Sequence, residues 1–310
     1  MRILAFILFC GIIFLNATCE RSLDLQIPEP KQKLVVIGNF SQTQDLKIQV
    51  SKSGFILDRD ANNFLINANV RIFQEEKFIE KLTLVRPKNA IPFYSATRFR
   101  PLVGKKYEIR VNATGFDAVE GCSSIPQSVP LNQAALEYLA IHNLEDGNTK
   151  RFSFNLKLAF DDPAFQENYY HLKVYQQFEQ FTVLRNDTVV VGNQRRELQF
   201  SPSLNDNFEI ANYNGGVLLS DGGFDGQQRS FDLPLTVDVA SDRELPGKIL
   251  VELRSVSPEY FAFYASVSKQ QSSPEFPLAE PVSIANNIEN GIGVFAGYSS
   301  VVDSIPLITK

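Results

Sequence analysis

Tryptophan is absent from the 310 residues, methionine occurs once, histidine twice and cysteine three times. So few histidines and cysteines leave little from which to build a zinc site, which takes four close ligands or three plus water. Neither His142 nor His171 lies beside a Gly-x-Ser-x-Gly elbow, so both read as structural or surface groups rather than members of a Ser-His-Asp triad. The longest basic runs are pairs, Lys105-Lys106 and Arg195-Arg196, and the net charge is -5. A nucleic-acid partner, which needs a concentrated basic surface, is excluded. Repeats, low-complexity tracts and a second membrane-like run are also missing. What is present is ordinary for a folded protein: 44% hydrophobic and 21% charged residues. That composition excludes a disordered chain, a collagen and a coiled coil, and the length suggests roughly two domains.

The amino terminus carries an address. Arg2 is followed by a mostly apolar run, Ile3 to Leu15, too short for the roughly 20 residues of a spanning helix. A positive start, a short apolar core and small residues before a cut make a secretory signal. Leu15-Asn16-Ala17-Thr18-Cys19 resembles a lipoprotein box of bacterial type, with Asn16 standing where an aliphatic residue is usual. Cys19 would then become the first mature residue, carrying lipid on its sulfur and an acyl chain on its nitrogen. Each buried methylene contributes about 0.8 kcal/mol to such an anchor. The plainer alternative is an ordinary signal peptide with an incidental cysteine. Cysteine arithmetic favours the lipid: Cys10 leaves with the leader, and an acylated Cys19 leaves Cys122 without a disulfide partner. A Cys19–Cys122 bridge would tie a flexible tail to the first domain for little purpose. Residues 1–18 are thus expected to be a lipoprotein signal peptide. Residues 19–33, with Pro28 and Pro30, are expected to form an extended tether.

From Leu34 onward the dominant period is two, which marks strands with one buried face. Leu34-Val35-Val36-Ile37 reads as a short apolar strand closed by Gly38. Leu46, Ile48 and Val50 alternate with polar residues, as do Ile66, Ala68, Val70 and Ile72, and Tyr107, Ile109 and Val111. This spacing predicts an immunoglobulin- or transthyretin-like β-sandwich over residues 34–144. Residues 131–142 fit either a helix, by their alanines and leucines, or a connecting strand. The polar stretch Glu145-Asp146-Gly147-Asn148 is the expected boundary of a second β-rich domain, 145–310. Its strands are expected at Phe152–Phe160, Leu172–Tyr175, Phe181–Leu184, Thr188–Val191, Leu233–Val239 and Lys248–Arg254, with Arg185-Asn186-Asp187 turning a hairpin. Ser257-Pro258-Glu259 changes the period: a favoured N-cap, a tolerated first residue, then an acid at the positive helix end. Tyr260, Phe263, Tyr264 and Val267 follow on one face, predicting a single helix from Pro258 to about Gln271. Asn286 to Ala296 reads as a glycine-punctuated turn into a strand, and its Gly-x-Gly has no helix after it to receive phosphate. The fold class is therefore mainly β, with one helix near the carboxyl terminus.

Candidate ligands are few. Asp221 and Asp225, with Asp206 nearby, could offer oxygen ligands to calcium in a glycine-rich loop, although the spacing is not that of an EF-hand. Asp and Gly more often simply shape such a turn, and Asp161-Asp162-Pro163 likewise reads as an Asx-turn. No spacing singles out the paired carboxylates of a glycosidase, which must lie about 5–9.5 Å apart. Asp187-Thr188-Val189 and Asp303-Ser304-Ile305 fit a loose O-glycan pattern. Asn112-Ala113-Thr114 would matter only in a eukaryotic secretory pathway. No cofactor is implied.

The order of pieces is nevertheless familiar. Cys19-Glu20 leads to Leu34-Val35-Val36-Ile37-Gly38, Asn67-Ala68-Asn69-Val70, Gly104-Lys105-Lys106-Tyr107 and Ser124-Ile125-Pro126. Then come Phe160-Asp161-Asp162-Pro163, Asn168-Tyr169-Tyr170, Asp221-Gly222-Gly223-Phe224-Asp225-Gly226 and, most specific, Asn287-Ile288-Glu289-Asn290-Gly291-Ile292-Gly293-Val294-Phe295-Ala296. Together these resemble, over essentially the whole chain, a Bacteroidota lipoprotein family known as a domain of unknown function, number forty-two forty-nine. The resemblance implies a cell-envelope lipoprotein of the kind encoded beside TonB-dependent outer-membrane receptors, and it brings no catalytic residues with it. The resulting expectation is a non-catalytic outer-membrane lipoprotein, anchored at Cys19 on either face, that binds a ligand or assists a TonB-dependent transporter. The alternatives are a structural or adhesive envelope protein with no transported ligand, and an enzyme on envelope glycans, which would need facing carboxylates in one cleft.

Overall fold

The computed structural model describes residues 31–54, 63–184, 187–200, 210–272 and 282–307. The leader, Cys19, most of the tether and Asp206 lie outside these residues. No helix among the described residues is long and apolar enough to cross a membrane.

The frame is a ten-stranded sheet. Its first part comprises β1 (Leu34–Phe40), β2 (Lys47–Lys52), β5 (Thr83–Val85) and β6 (Phe93–Ser95). Its second part comprises β11 (Tyr169–Leu184), β12 (Asp187–Glu197), β13 (Ile210–Tyr213), β14 (Gly216–Ser220) and β16 (Glu244–Val256). The long strand β18 (Ile292–Pro306) joins the two, in the order β13-β14-β11-β16-β18-β1-β2-β6-β5, and β12 pairs with the far part of β11. Two smaller sheets pack on this frame. One contains β3 (Asn69–Gln74), β4 (Lys77–Lys81), β7 (Lys106–Asn112), β8 (Val119–Ser124) and β17 (Ile288–Glu289). The other contains β9 (Leu131–Asn143), β10 (Thr149–Asp161) and β15 (Gln228–Ala240).

Each small sheet closes a sandwich with its own core. Val36, Ile48 and Val50 of the frame meet Val70, Ile72, Tyr107, Ile109 and Val111 in the first. Leu172, Val174, Val217, Ile249, Val251 and Leu253 meet Phe152, Leu156, Phe160, Leu233 and Val237 in the second. Ile48, Val50, Val70, Ile72, Tyr107, Ile109, Val111, Phe152, Leu156, Phe160, Leu233 and Val237 are residues that the alternating runs placed on buried faces. Burying one such side chain stabilises by roughly 1.5–3 kcal/mol, so the two cores supply the main driving force for folding.

Several details differ from the expectation. Residues 131–142 are strand, because their backbone pairs with β10 along almost its whole length. The polar stretch 145–148 is a hairpin turn, held by Asp146 accepting from the amides of Asn148 and Thr149 at 3.0 and 2.8 Å. It therefore lies inside the second sandwich, and residues 32–310 gather in one compact unit with strands before and after it sharing the frame. β1 runs through Gly38 to Phe40. Ile66 is exposed and precedes β3, since the Tyr94 hydroxyl takes the Ala68 amide (2.8 Å) and the Leu65 carbonyl (2.9 Å) and bends the chain between them. Leu172–Tyr175 and Phe181–Leu184 belong to one strand, β11, whose end pairs with β12 at Leu184 and Asp187; residues 185–186 of the expected turn lie outside the described ones.

The helix forms as read, as α1 (Pro258–Ser272). Ser257 caps it and is itself buried, with its hydroxyl 3.0 Å from that of Ser123 on β8. Tyr260, Phe261, Phe263 and Tyr264 pack with Val256, Val294, Ala296 and Tyr298 on the face of the frame opposite the two cores.

The joint is β18. Residues 292–297 run parallel to β1, and residues 298–306 run antiparallel to β16. This is possible only with glycine at the closest approaches. A side chain at Gly293, whose φ is +123°, would strike the Val36 carbonyl, and one at Gly297 would strike the Ser124 carbonyl. Asn287 completes the joint. Its side chain donates to the carbonyls of Phe295 (2.8 Å) and Cys122 (3.1 Å) and accepts from the Phe295 amide (3.0 Å). Gly297→Ala and Asn287→Ala are each expected to lower the free energy of unfolding in urea by about 1–3 kcal/mol, through overpacking and through stranded backbone groups. Gly222→Ala, where an added carbon meets only an ordinary contact with Ser220, should change it little.

Candidate functional site

Because β11 turns Tyr170, Leu172 and Val174 into the core, it leaves His171, Lys173 and Tyr175 on the other face of the frame. By the same alternation β16 contributes Glu252 and Arg254, and β18 contributes Tyr298, Ser300 and Val302. α1 covers one end of this polar face. The Tyr260 ring lies 5.9 Å from that of His171 and 6.0 Å from that of Tyr298. Beyond the helix the face is open. A cleft of about 550 Å³ lies there, floored by Tyr175, Glu252 and Arg254 and lined by Thr43 and Gln44 of the β1–β2 loop.

Its charges are unusually deep. Glu252 and Lys173 are buried, and charged side chains are rarely so unless paired. Arg254 grips Glu252 with two nitrogens at 2.8 and 2.9 Å, and the Tyr175 hydroxyl donates to the same carboxylate at 3.2 Å. Burial alone would raise the Glu252 carboxyl, but Arg254 and Tyr175 outweigh it and hold it below the usual range. Lys173 pairs with Glu197 on β12. His171 shares a hydrogen bond of 3.0 Å with the Tyr260 hydroxyl. Burial first, and then the charges of Arg254 and Lys173, depress its imidazole well below its ordinary pKa. The ring is therefore a neutral structural group at neutral pH, while His142 is exposed on β9.

A glycan hydrolase needs one carboxyl kept protonated beside an ionised partner. Glu197 and Glu252 both line the cleft, yet each is committed to a cation, and Glu252 is pulled in the wrong direction for an acid.

The calcium candidates Asp221 and Asp225 do come together, and Asp162 joins them, with carboxylate oxygens within 4.8 Å of one another. Asp162 was read from sequence as a turn residue only. The group binds its own loops: Asp162 accepts from the Tyr170 hydroxyl (2.5 Å) and the Gly226 amide (2.9 Å), Asp221 from the Asn168 amide (2.6 Å), and Asp225 from the Phe165 amide (3.0 Å). Burial, then the neighbouring carboxylates, raise the Asp221 carboxyl despite the Asn168 amide that lowers it. Such a cluster can clamp two loops or hold a hard cation. Thr188 and Ser304, the glycan candidates, are both exposed. Cys122 is a free thiol on β8.

A family model described as Domain of unknown function (DUF4249) matches residues 20–304. The chain belongs to the DUF4249 family. A search of curated proteins finds no match. The DUF4249 match begins at Glu20, the residue directly after Cys19, and runs through both sandwiches. The segment that most specifically resembled the family, Asn287 to Ala296, is the joint itself, so its asparagine and glycines are explained by close backbone approach rather than by a ligand.

The cleft went unrecognised in the sequence. Tyr175, Arg195, Glu197, Glu252 and Arg254 come from three strands, of which the sequence showed Tyr175, Glu252 and Arg254 only as members of expected strands and placed Arg195 and Glu197 in none. Arg254→Met should strand Glu252 in a buried position and cost about 3–5 kcal/mol in denaturant titrations, with the double variant Glu252→Gln/Arg254→Met recovering part of the loss. His171 sets an acid limit. Its folded form resists protonation while the unfolded chain takes up a proton near pH 6.5, so its contribution is complete above that pH and is lost as pH falls below it. Stability measured from pH 7 to 5 should therefore decline more steeply in the native chain than in His171→Gln, by up to about 1.4 kcal/mol per pH unit.

Proposed function

We propose that this DUF4249 chain is a non-catalytic lipoprotein of the outer membrane. In this reading it is anchored through Cys19 and works as a ligand-binding or accessory partner of a TonB-dependent transporter. The observation that carries the reading is the junction at residues 19 and 20. A short apolar leader ends at a cysteine, and the family's matched region starts at the next residue. A lipidated Cys19 at that junction would place the whole matched region on the mature side of the anchor. The architecture agrees with binding rather than turnover. Two rigid sandwiches share one sheet, and the open part of that sheet bears a polar cleft whose acids are neutralised by neighbouring cations.

One feature favours the structural or adhesive alternative. Val183, Val189, Val190 and Val191 are all exposed near the end of the β11–β12 hairpin, an apolar patch of the sort that marks contact surfaces.

Gentle detergent extraction of the native envelope through a tag at Lys310, followed by mass spectrometry, separates the readings. A stoichiometric TonB-dependent barrel is expected, along with acyl chains on Cys19. Recovery of the lipidated chain alone would leave the structural or adhesive role. Cys19→Ser should release the protein from the outer-membrane fraction, and retention of that variant there would refute the anchor.

A further inference from the structure

We infer that the cleft on the open face of the frame is a binding site for a small polar organic carboxylate, with Arg195 as its charge partner. Both carboxylates of the lining are already taken: Glu252 by Arg254, which also lines the cleft, and Glu197 by Lys173, which is buried outside the lining. Arg195 is exposed at the rim, forms no ion pair among the described residues, and lies 5.6 Å from the centre of the Tyr175 ring. With both lining carboxylates held by other cations, Arg195 offers the cleft a positive charge on a planar guanidinium that suits a carboxylate's two oxygens.

The rest of the lining sets the body of the ligand. Thr43, Gln44 and Ser300 present hydroxyl and amide groups, and Val302 is the one aliphatic side chain among the lining residues. Such a wall fits a hydroxylated or otherwise hydrated molecule and offers little to a lipid or an aromatic one. The volume of about 550 Å³ falls within the range of small-molecule sites, about 300–1,000 Å³. The floor is also built to stay in place. Glu252 and Arg254 are fixed to each other and to Tyr175 and Tyr260, so the Tyr175 ring beside Arg195 is already oriented before anything binds. The site lies where the β1–β2 loop of the first sandwich meets the sheet of the second, so both sandwiches shape it.

This assignment rests on the reading of the chain as a binding protein but needs neither the anchor nor the barrel, so the two can fail separately. The test is isothermal titration of the full chain in mild detergent, at low ionic strength, with glucuronate and citrate as probes. Glucose serves as the neutral control and inorganic sulfate as the generic anion. Saturable binding of a carboxylate probe, with no binding of glucose and weaker binding of sulfate, is expected. Arg195→Gln should weaken it by about tenfold or more, the usual effect of losing a charge-assisted contact. Lys150→Gln, on the distant strand β10, should bind as the native chain does. Thermal melts of both variants establish that they fold, and Thr43→Val provides a second probe of the lining, expected to weaken binding while the fold is kept. Absence of binding by both carboxylates overturns the proposal. So does equal binding of sulfate, and so does carboxylate binding that Arg195→Gln leaves unchanged.

Discussion

The parallel pairing of β18 with β1 is the contact on which the remainder of the molecule rests. Parallel neighbours need a long crossover, and here the crossover is nearly the entire chain, from Phe40 to Ile292. The strand then continues past Gly297 to pair with β16, so one extended segment belongs to both halves. Its backbone must approach Val36 and Ser124 more closely than any side chain permits, which is why glycine stands at 293 and 297. Asn287 satisfies the backbone groups left at the seam. With this seam closed, each half of the frame has a partner sheet and two cores form. Without it, the frame would present two unpaired edges.

The seam also decides where the polar face lies. One side of the frame is consumed by the two sandwiches, so α1 and the β1–β2 loop must share the other. The helix is fixed by its cap, because Ser257 is buried and tied to Ser123 on β8. Its tyrosines reach His171, Tyr213, Arg254 and Tyr298 and leave the face beyond Arg254 open. What remains uncovered is charged. Placing a buried ion pair in a sheet face contributes little to stability compared with apolar packing. A fold that keeps Glu252, Arg254 and Lys173 there, instead of aliphatic residues, holds an oriented polar floor at that cost.

If Cys19 is lipidated as proposed, such a floor would hold a ligand close to a membrane, and the anchor would raise the local concentration of the site near any partner there, so that moderate affinity would suffice. The acidic cluster of Asp162, Asp221 and Asp225 has a different place in this scheme. It lies at the end of the second sandwich, where its hydrogen bonds close the 162–168 loop on the 221–226 turn and keep the end of β10 beside β14.

Strand alternation and the cap at Ser257 made the longer alternating strands, their buried faces and the helix legible in the sequence, because burial on one face imposes a period on the chain. Three things were not. Residues 131–142 have helical propensity but became strand, since β10 supplied a ladder that no local preference could outweigh. The polar stretch 145–148 looks like a linker and is a hairpin turn, because a turn and a domain boundary demand the same residues. The cleft was invisible altogether. Its members are spread from Thr43 to Val302, and each looks, along its own strand, like an ordinary solvent-facing residue. Sequence alone determined which side of the clearly alternating strands is apolar and where the helix at Pro258 starts. Only the tertiary structure decided which polar sides face one another, because strand order across the frame depends on a pairing between the two ends of the chain.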